Sequence, residues 1–366
     1  MPVLFFAMAV LQFSCTEDAV KQNSDPRNLQ VTVTIEDEAT VILRATALNT
    51  VTYSFKVGNQ ADPEETNATG VFEHTYLQSG SYQIEVRAYG ATGRYIREVV
   101  YFTIRIGSDF VTVDMGYTSP LEYEGYKLVW HDEFDNSSIN TDYWVFETGD
   151  GCPNLCGWGN AEWQYYRQEN AWIDQEENVL TIEARRENFG GRQYTSTRMK
   201  TQDKKSFQYG RFDIRAVLPK GQGIWPAIWM LGNDITTVGW PKCGEIDIME
   251  MVGGSGRENT THGTLHWDNN GHVYTGGSYT LPSGTFADEY HVFSIIWDET
   301  SIKWLVNNLQ FHEIDITPAH MTEFHQEFFF LFNVAVGGIW PGYPDATTVF
   351  PQQMKIDYIR VFQIAE

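Results

Sequence analysis

The sequence is poor in basic side chains. It carries 25 Lys and Arg against 48 Asp and Glu, so its formal net charge at pH 7 is -23. Nucleic acids and anionic membrane surfaces recruit proteins through basic patches, and the acidic balance therefore argues against both as partners. A sulfated, polyanionic substrate is disfavoured on the same ground, unless a local basic groove overrides the average.

Long apolar runs are missing beyond the N-terminus, where no stretch of about twenty apolar residues occurs, so we expect no membrane-spanning helix. The first fourteen residues are apolar and end in Leu11-Gln12-Phe13-Ser14-Cys15. Residues 1–15 resemble a bacterial lipoprotein signal, in which the cysteine is lipidated and anchors the chain. The alternative is a short secretory signal with an incidental cysteine. Both predict an exported protein, either a cell-surface or outer-membrane lipoprotein or a secreted one.

Cysteine is scarce, with four in 366 residues. After Cys15, the pair Cys152 and Cys156 lies close enough in sequence to bridge within a loop in an oxidising compartment. That pairing leaves Cys243 as a buried free thiol, although sequence cannot choose among the possible pairings. A zinc site is rejected because it needs a fourth ligand at tighter spacing.

Helical periodicity is nearly absent, apart from a possible turn or two around 318–325. Short alternating strands separated by Gly, Asn and Asp turns predict an all-β protein. Residues 28–106 have the spacing of a small β-sandwich, and 127–366 that of a large antiparallel sandwich. The polar segment 16–27 is predicted to be a tether, and 107–126 a linker.

The stretch from Gly244 to Glu250, Gly-Glu-Ile-Asp-Ile-Met-Glu, alternates acidic and apolar residues. Period two is typical of a half-buried strand and puts Glu245 and Asp247 on one face. Glu250 has the wrong parity, and we predict a β-bulge, with Met249 as the extra residue, that returns it to the acidic face. A solvated outer face is the alternative, although stacked like charges repel. Two carboxyls with a third between them are what acid-assisted displacement at a sugar carbon requires.

In this context the second domain resembles the laminarinases of glycoside hydrolase family 16, whose fold is a β-jelly roll of the concanavalin A-like type with a cleft on its concave face. The stretches that carry the resemblance are Leu128-Val129-Trp130-His131-Asp132-Glu133-Phe134, Gly221-Gln222-Gly223-Ile224-Trp225-Pro226-Ala227-Ile228-Trp229-Met230, Gly244 to Gly253, Thr261-His262-Gly263-Thr264-Leu265-His266-Trp267 and Ile356-Asp357-Tyr358-Ile359-Arg360-Val361-Phe362.

The first domain looks like a PKD-type (polycystic-kidney-disease-type), Ig-like sandwich. This resemblance implies a spacer or accessory module, and it rests on Tyr53-Ser54-Phe55-Lys56-Val57-Gly58-Asn59, Phe72-Glu73-His74-Thr75-Tyr76 and Gly80-Ser81-Tyr82.

The family pattern implies a role for each acid. Glu245 would be the nucleophile, Glu250 the acid and then the base, and Asp247 a hydrogen-bond partner of the nucleophile. Carboxyls on one strand face suit the roughly 5 Å separation of retaining enzymes. Neighbouring negative charges raise the pKa of the group that keeps its proton, and Glu250 is well placed for that. The product should keep the β configuration, and catalysis should need no cofactor.

The resemblance also implies sugar-binding side chains. It places Trp225 and Trp229 in the cleft and Trp240 along its lining, where flat apolar faces can meet sugar rings. The alternative for each of them is a place in the core.

Polar candidates complete the expected cleft. Asn160 and Arg198 match positions that bind the non-reducing side, and His266 matches a cleft histidine near the point of cleavage. A structural histidine is the alternative for His266. Glu162 and Gln164 are further candidates.

A structural calcium ion on the convex face is also implied. Glu133 and Asp357 match its usual side-chain ligands, with backbone carbonyls supplying the rest of the six to eight oxygens that calcium prefers.

These features predict a monomeric, retaining endo-glucanase that cuts β-1,3 bonds in laminarin-like glucans. A mixed-linkage glucanase or a galactanase acting on agar or carrageenan, from the same family, is the nearest alternative. A non-catalytic β-glucan-binding protein on the same scaffold is another, and turnover discriminates it.

Overall fold

The computed structural model describes residues 25–36, 39–57, 64–76, 80–104, 111–254 and 256–365. The chain divides into two compact units, one ending at Phe110 and the other beginning at Val111. The predicted signal segment with Cys15, and most of the predicted tether, lie outside the described residues. No helix within the described ranges is long and apolar enough to cross a membrane.

The described part of the first unit forms two antiparallel sheets, ordered β1-β2-β5 and β4-β3-β6-β7. Successive side chains of a strand point to opposite faces, and β2 shows this alternation. Val41, Leu43 and Ala45 are buried, whereas Arg44 and Thr46 are exposed. The PKD likeness stays a prediction. The strands are β1 (Arg27–Glu36), β2 (Thr40–Leu48), β3 (Thr52–Val57), β4 (Glu65–Asn67), β5 (Val71–Thr75), β6 (Gly80–Tyr89) and β7 (Tyr95–Ile104).

The second unit consists almost entirely of strands. They are β8 (Tyr126–Asp132), β9 (Val145–Glu147), β10 (Gln164–Tyr166), β11 (Ala171–Asp174), β12 (Val179–Ala184), β13 (Tyr194–Ser196), β14 (Arg198–Lys200), β15 (Gly210–Val217), β16 (Ile224–Gly232), β17 (Glu245–Glu250), β18 (Thr260–Asp268), β19 (His272–Thr280), β20 (His291–Trp297), β21 (Ser301–Val306), β22 (Leu309–Asp315), β23 (Phe328–Val336) and β24 (Gln352–Ile364). One short helix, α1 (Ile235–Val238), and 3-10 turns at Cys156–Gly159, Gln168–Asn170 and Thr322–His325 complete the described elements. The last turn lies where the sequence suggested one.

Two large antiparallel sheets enclose the core of this unit. One runs β11-β12-β24-β15-β20-β21-β22, with β8 also pairing β24, and the other runs β19-β18-β17-β16-β23-β14-β9. Fully buried side chains such as Ile214 and Ile295 of the first sheet and Ile246 and Phe332 of the second belong to one cluster. The all-β double-sheet prediction is confirmed, and a small parallel pair, β10 with β13, was not expected.

A β-bulge interrupts β17, as the parity of Glu250 requires. On the side of β16, Asp247 pairs with Trp229 and Met249 pairs with Ile228. Ile248 therefore has no partner on β16 and is the extra residue of the bulge. The sequence-based prediction that Met249 is the extra residue is wrong. Opposite β18, Ile248 and Met249 together face the single residue Gly263. Both apolar side chains enter the core, being at most 2% exposed, which is why two successive residues share one direction here.

Gly263 leaves room for the ring that supports this bulge. A Cβ at that position would lie 2.3 Å from Cδ1 of Trp304 on the opposite sheet. The indole Nε1 of Trp304 donates a 2.8 Å hydrogen bond to the backbone oxygen of Asp247. The sheet that contains β21 therefore holds the backbone at the centre of the acidic stretch.

Residues 111–125 belong to the second unit, although the sequence suggested a linker over 107–126. Arg215, only 1% exposed, donates hydrogen bonds of 2.6 to 2.8 Å to the backbone oxygens of Val113, Met115 and Tyr117. A buried guanidinium requires such acceptors, and this segment supplies three of them. The polar composition of the segment concealed this role.

Candidate active site

One cleft of about 830 Å³ lies on the outward face of the sheet that contains β17. Its lining extends from Tyr274 on β19 to Arg198 on β14. The polar and aromatic side chains that line it are Trp158, Asn160, Glu162, Arg198, Trp225, Trp229, Trp240, Glu245, Asp247, Glu250, His262, Thr264, His266, His272, Tyr274, Ser278, Asn333 and Trp340. Residues proposed from sequence as catalytic or sugar-binding thus come together here, with Gln164 as the exception.

Each of the two outer carboxyls has its own indole donor. Nε1 of Trp240 donates to Oε2 of Glu245 at 2.8 Å, and Nε1 of Trp225 donates to Oε1 of Glu250 at 3.1 Å. Asp247 lies between the two glutamates on β17 and is only 3% exposed. Two half-buried acids, with a buried acid between them, therefore face the cleft in different surroundings.

The surroundings of the three acids shift their pKa values through different causes. Burial, followed by the charge of Asp247, raises the pKa of Glu245 to about 8, while His266, the Trp240 N–H and Arg198 oppose the rise. Burial also raises the pKa of Asp247. The pKa of Glu250 is raised well above its ordinary value, because burial adds to the charges of both other acids. The charges of both other acids thus favour a proton on Glu250, as a general acid needs, while the three groups that oppose the rise at Glu245 favour the charge that a nucleophile needs.

The three predicted tryptophans line the cleft and are not enclosed in the core. Trp225 and Trp229 are half-buried, and Trp240 is 48% exposed. Nε1 of Trp229 donates to Oδ1 of Asn333 at 2.7 Å, which fixes the edge of its ring. Their partly open faces are suited to contact with sugar rings.

Arg198 is held between two rings at one end of the cleft. Its guanidinium lies 4.6 Å from the ring of Trp158 and 4.8 Å from that of Trp229. Its Nε lies 2.5 Å from Oε2 of Glu147, so its charge is already paired. Arg198 is the one lysine or arginine among the described residues that line the cleft.

Glu162 and Gln164 anchor the loop that carries Asn160. Glu162 is 4% exposed and accepts hydrogen bonds from Asn160, Gln164 and Tyr166. Gln164 is fully buried and does not line the cleft, because its Oε1 accepts the backbone N–H of Val336. These two side chains hold the exposed Asn160 and its loop against β23.

Sequence reasoning missed several lining residues. Trp340 is 42% exposed and packs edge-on to Trp225, with ring centres 5.5 Å apart, and 5.0 Å from the ring of His262. The parity of β18 could have found His262, since residues 262, 264 and 266 share a face. No local signal marked His272 or Trp340, because each reaches the cleft from a neighbouring strand or loop.

The two predicted calcium ligands make ion pairs with arginines. Both carboxylate oxygens of Glu133 accept from Arg360, at 2.8 and 2.6 Å, and Oδ2 of Asp357 accepts from Arg215 at 2.8 Å. Among the described residues, the acids and histidines grouped closely enough to hold an ion are Glu245, Asp247 and His266, in the cleft. The side chains of Glu133 and Asp357 thus do not form a prepared cage.

Cys152 and Cys156 form a disulfide in the loop next to Trp158, the pairing that the sequence favoured. Cys243 is free and fully buried, and burial raises the pKa of its thiol to about 12. It therefore behaves as a small apolar side chain beneath the start of β17.

An antiparallel double-sheet protein with paired carboxyls and tryptophans in one open cleft belongs to the class of carbohydrate-active proteins. The family model described as glycosyl hydrolases family 16 matches residues 159–360, and the chain belongs to that family. The sequence-based identification of the family is confirmed.

Similar proteins support this assignment to different extents. The chain is 39% identical over 291 residues to a beta-glucanase of Rhodothermus marinus, covering 74% of this chain and 95% of that relative. It is 40% identical over 244 residues to the clotting factor G alpha subunit of Tachypleus tridentatus, covering 66% of this chain but only 34% of that relative. The laminarinase catalytic domain of Thermotoga maritima, a solved structure, has a TM-score of 0.61 and 45% identity, covering 66% of this chain and 99% of that domain. The jelly-roll prediction for the second unit is thereby confirmed.

Proposed function

We propose that the second unit is a retaining endo-glycosidase that hydrolyses β-1,3-glucosidic bonds of laminarin-type β-glucans, without a cofactor. The observation that carries the proposal is the pair Glu245 and Glu250, each with its own indole donor, on either side of the buried Asp247. The relatives named as beta-glucanase and laminarinase support the substrate class.

The reaction has two displacements. The Glu245 carboxylate attacks the anomeric carbon while the Glu250 carboxyl gives its proton to the glycosidic oxygen, so the glycosidic bond breaks and a glycosyl ester forms. The Glu250 carboxylate then removes a proton from water, and the water oxygen attacks the same carbon and releases Glu245. Two inversions leave the β configuration. The charge of Asp247 raises the pKa of both glutamates, which helps Glu250 keep the proton that the first displacement needs.

Cleavage within chains agrees with the extent of the cleft. The lining spans six neighbouring strands, from β19 to β14, which at the usual strand spacing corresponds to about 24 Å. That length accommodates several sugar rings, and the lining continues on both sides of the carboxyls. Trp229 and Arg198 lie on one side of β17 and Tyr274 on the other.

Charge favours a neutral glucan over a sulfated galactan. Arg198 is paired with Glu147 and enclosed by two rings, and it is the one lysine or arginine among the described lining residues. The other charged or titratable groups that a sulfate would meet in the lining are carboxylates, histidines and Tyr274. Mixed-linkage glucan remains the alternative substrate, and non-catalytic glucan binding the alternative function.

Other predictions from sequence remain proposals. We propose export with lipidation at Cys15, a monomeric state, and an accessory role for the first unit. Calcium at Glu133 and Asp357 would have to replace or share their contacts with Arg360 and Arg215.

The test is hydrolysis of laminarin by the full chain, followed by NMR of the first reducing ends. We expect the β-anomer first, and Glu245→Gln should lower turnover by more than about a thousandfold while glucan binding and the circular dichroism spectrum persist. Glu289→Gln, at an exposed carboxylate outside the cleft, is the matched control. An early α-anomer would contradict retention, and undiminished turnover in Glu245→Gln would exclude it as the nucleophile. Binding without cleavage of laminarin, mixed-linkage glucan or agar would indicate a recognition protein.

A further inference from the structure

Two histidines lie in series beside the acidic strand. His266 on β18 is directly opposite Glu245, and its Nε2 lies 3.1 Å from Oδ2 of Asp247 and 3.9 Å from Oε1 of Glu245. Nε2 of His272, the first residue of β19, lies 2.8 Å from Nδ1 of His266. The two rings are nearly parallel, with an interplanar angle of 14° and centres 5.1 Å apart. The outer histidine therefore reaches Asp247 through the inner one.

The same outer histidine also contacts the donor to the nucleophile. The ring centre of His272 is 4.5 Å from that of Trp240, whose Nε1 donates to Oε2 of Glu245 at 2.8 Å. Trp240 precedes β17 on a loop and is 48% exposed, so no strand pairing fixes its ring. His272 thus touches both side chains that contact Glu245 or Asp247 from this side of the cleft.

We propose that His272 is a positioning residue that holds Nε2 of His266 against Oδ2 of Asp247 and the indole of Trp240 on Glu245. This inference rests on the proposed hydrolase function, since it assigns the residue a part in that reaction. Its own atoms need not contact the sugar for this role.

The number of protons that the two imidazole rings can share explains why His272 controls the tautomer of His266. A contact of 2.8 Å between two imidazole nitrogens holds one proton. When both rings are neutral and His266 carries its own proton on Nε2, the nitrogen that lies 3.1 Å from Oδ2 of Asp247, the proton between the two rings must come from His272. His272 therefore selects the tautomer of His266 with its proton on Nε2, toward Asp247, as a second partner commonly does for a functional histidine.

His266 also acts on the charge of Glu245, because it opposes the rise of the Glu245 pKa that burial causes. The charged and titratable groups around the pair are Glu245, Asp247 and Glu250 on β17, Asp268 opposite His272 on β18, Tyr274 stacked on both rings, and Arg198 across the cleft.

Three substitutions separate the two roles of His272. His272→Gln keeps a polar amide that can bond Nδ1 of His266, His272→Phe keeps a ring against Trp240, and His272→Ala keeps neither. The residue is exposed, so none of these variants opens a cavity in the core. His320→Ala, at an exposed histidine on Trp267 outside the cleft, is the control.

We expect His272→Ala to lower kcat on laminarin by about tenfold with KM nearly unchanged. In His272→Ala and His272→Phe the acid limb of the kcat/KM profile should move up by about half a pH unit, because His266, which opposes the rise of the Glu245 pKa, is then held less closely. His272→Gln should keep the limb close to that of the unchanged protein. Long-range proton–nitrogen NMR should show His266 protonated on Nε2 in the unchanged protein and in His272→Gln, and a mixture of tautomers in the other two variants.

Unchanged kcat, pH limb and His266 tautomer in His272→Ala would overturn the inference. Equal losses in all three variants with no change of limb or tautomer would also overturn it, because a merely structural role produces that result. Failure of the proposed function is distinguishable, since the unchanged protein would then cleave no glucan while the NMR measurement still reports on the histidine pair.

Discussion

Replacing Trp240 by phenylalanine removes one hydrogen bond from the nucleophile and keeps an aromatic ring in the cleft. The bond removed is the 2.8 Å contact from the indole Nε1 to Oε2 of Glu245. A hydrogen bond to the charged form of an acid lowers its pKa, so its loss must raise the pKa of Glu245. Because Glu245 has to be ionised to attack, the acid limb of the kcat/KM profile should move to higher pH.

The size of the shift follows from the exposure of the donor. Hydrogen bonds to charged groups contribute about 1.5 to 3 kcal/mol, and water can replace part of this one because Trp240 is 48% exposed. The low end of that range corresponds to about one pKa unit. Below its acid limb, Trp240→Phe should therefore be about tenfold slower than the unchanged protein, and above the limb the two rates should converge.

Trp225→Phe is the internal comparison, because it removes the equivalent donor from the general acid. The 3.1 Å bond to Oε1 of Glu250 also lowers the pKa of its acceptor, so its loss should raise that pKa as well. Glu250 must be protonated, and the basic limb should therefore move to higher pH by up to about one unit, which broadens the profile where Trp240→Phe narrows it. The assay is kcat/KM on a soluble laminarin oligosaccharide from pH 4 to 10. A basic-limb shift in Trp240→Phe, or an acid-limb shift in Trp225→Phe, would refute the assignment of the two carboxyls.

Two further outcomes test the cleft and the unit boundary. Trp225→Ala should lower kcat/KM on laminarin by about tenfold or more, because the ring that packs on Trp340 is lost. Trp172→Ala, at a half-buried tryptophan on the opposite sheet, is the control and should leave kcat/KM unchanged. Equal catalytic efficiencies of the two variants would show that Trp225 does not belong to the binding surface. A truncated chain beginning at Lys127 should be less stable, by calorimetry, than one beginning at Val111 by about 3 kcal/mol or more, because Arg215 loses three carbonyl acceptors. Equal melting temperatures would contradict that role for the segment.

The parity of the acidic stretch shows how far local pattern reaches. Alternation placed Glu245 and Asp247 on one face, and the misfit of Glu250 required a bulge, which is present. The pattern could not predict that the extra residue of the bulge, which has no partner on β16, is Ile248 and not Met249. That choice depends on how the strand registers with its neighbour and on the space that Gly263 leaves for Trp304.

Composition was a poor guide to the boundary between the units. Residues 107–126 look like a linker because they are polar and irregular, yet from Val111 onward they bind the buried Arg215 through backbone oxygens. Backbone acceptors carry no sequence signature, so a contact of this kind cannot be read from side-chain pattern.

By itself the sequence determined the all-β class, the acidic strand and the family, because alternation and close-range motifs are local properties of the chain. The tertiary structure decided which donor each acid receives and which residues complete the cleft. Trp240, Trp340 and His272 reach the site from separate loops and strands, and His272 meets His266 only because β18 and β19 pair in one register. Register and loop approach depend on contacts between distant parts of the chain, and an offset of β19 by one residue would turn His272 to the other face.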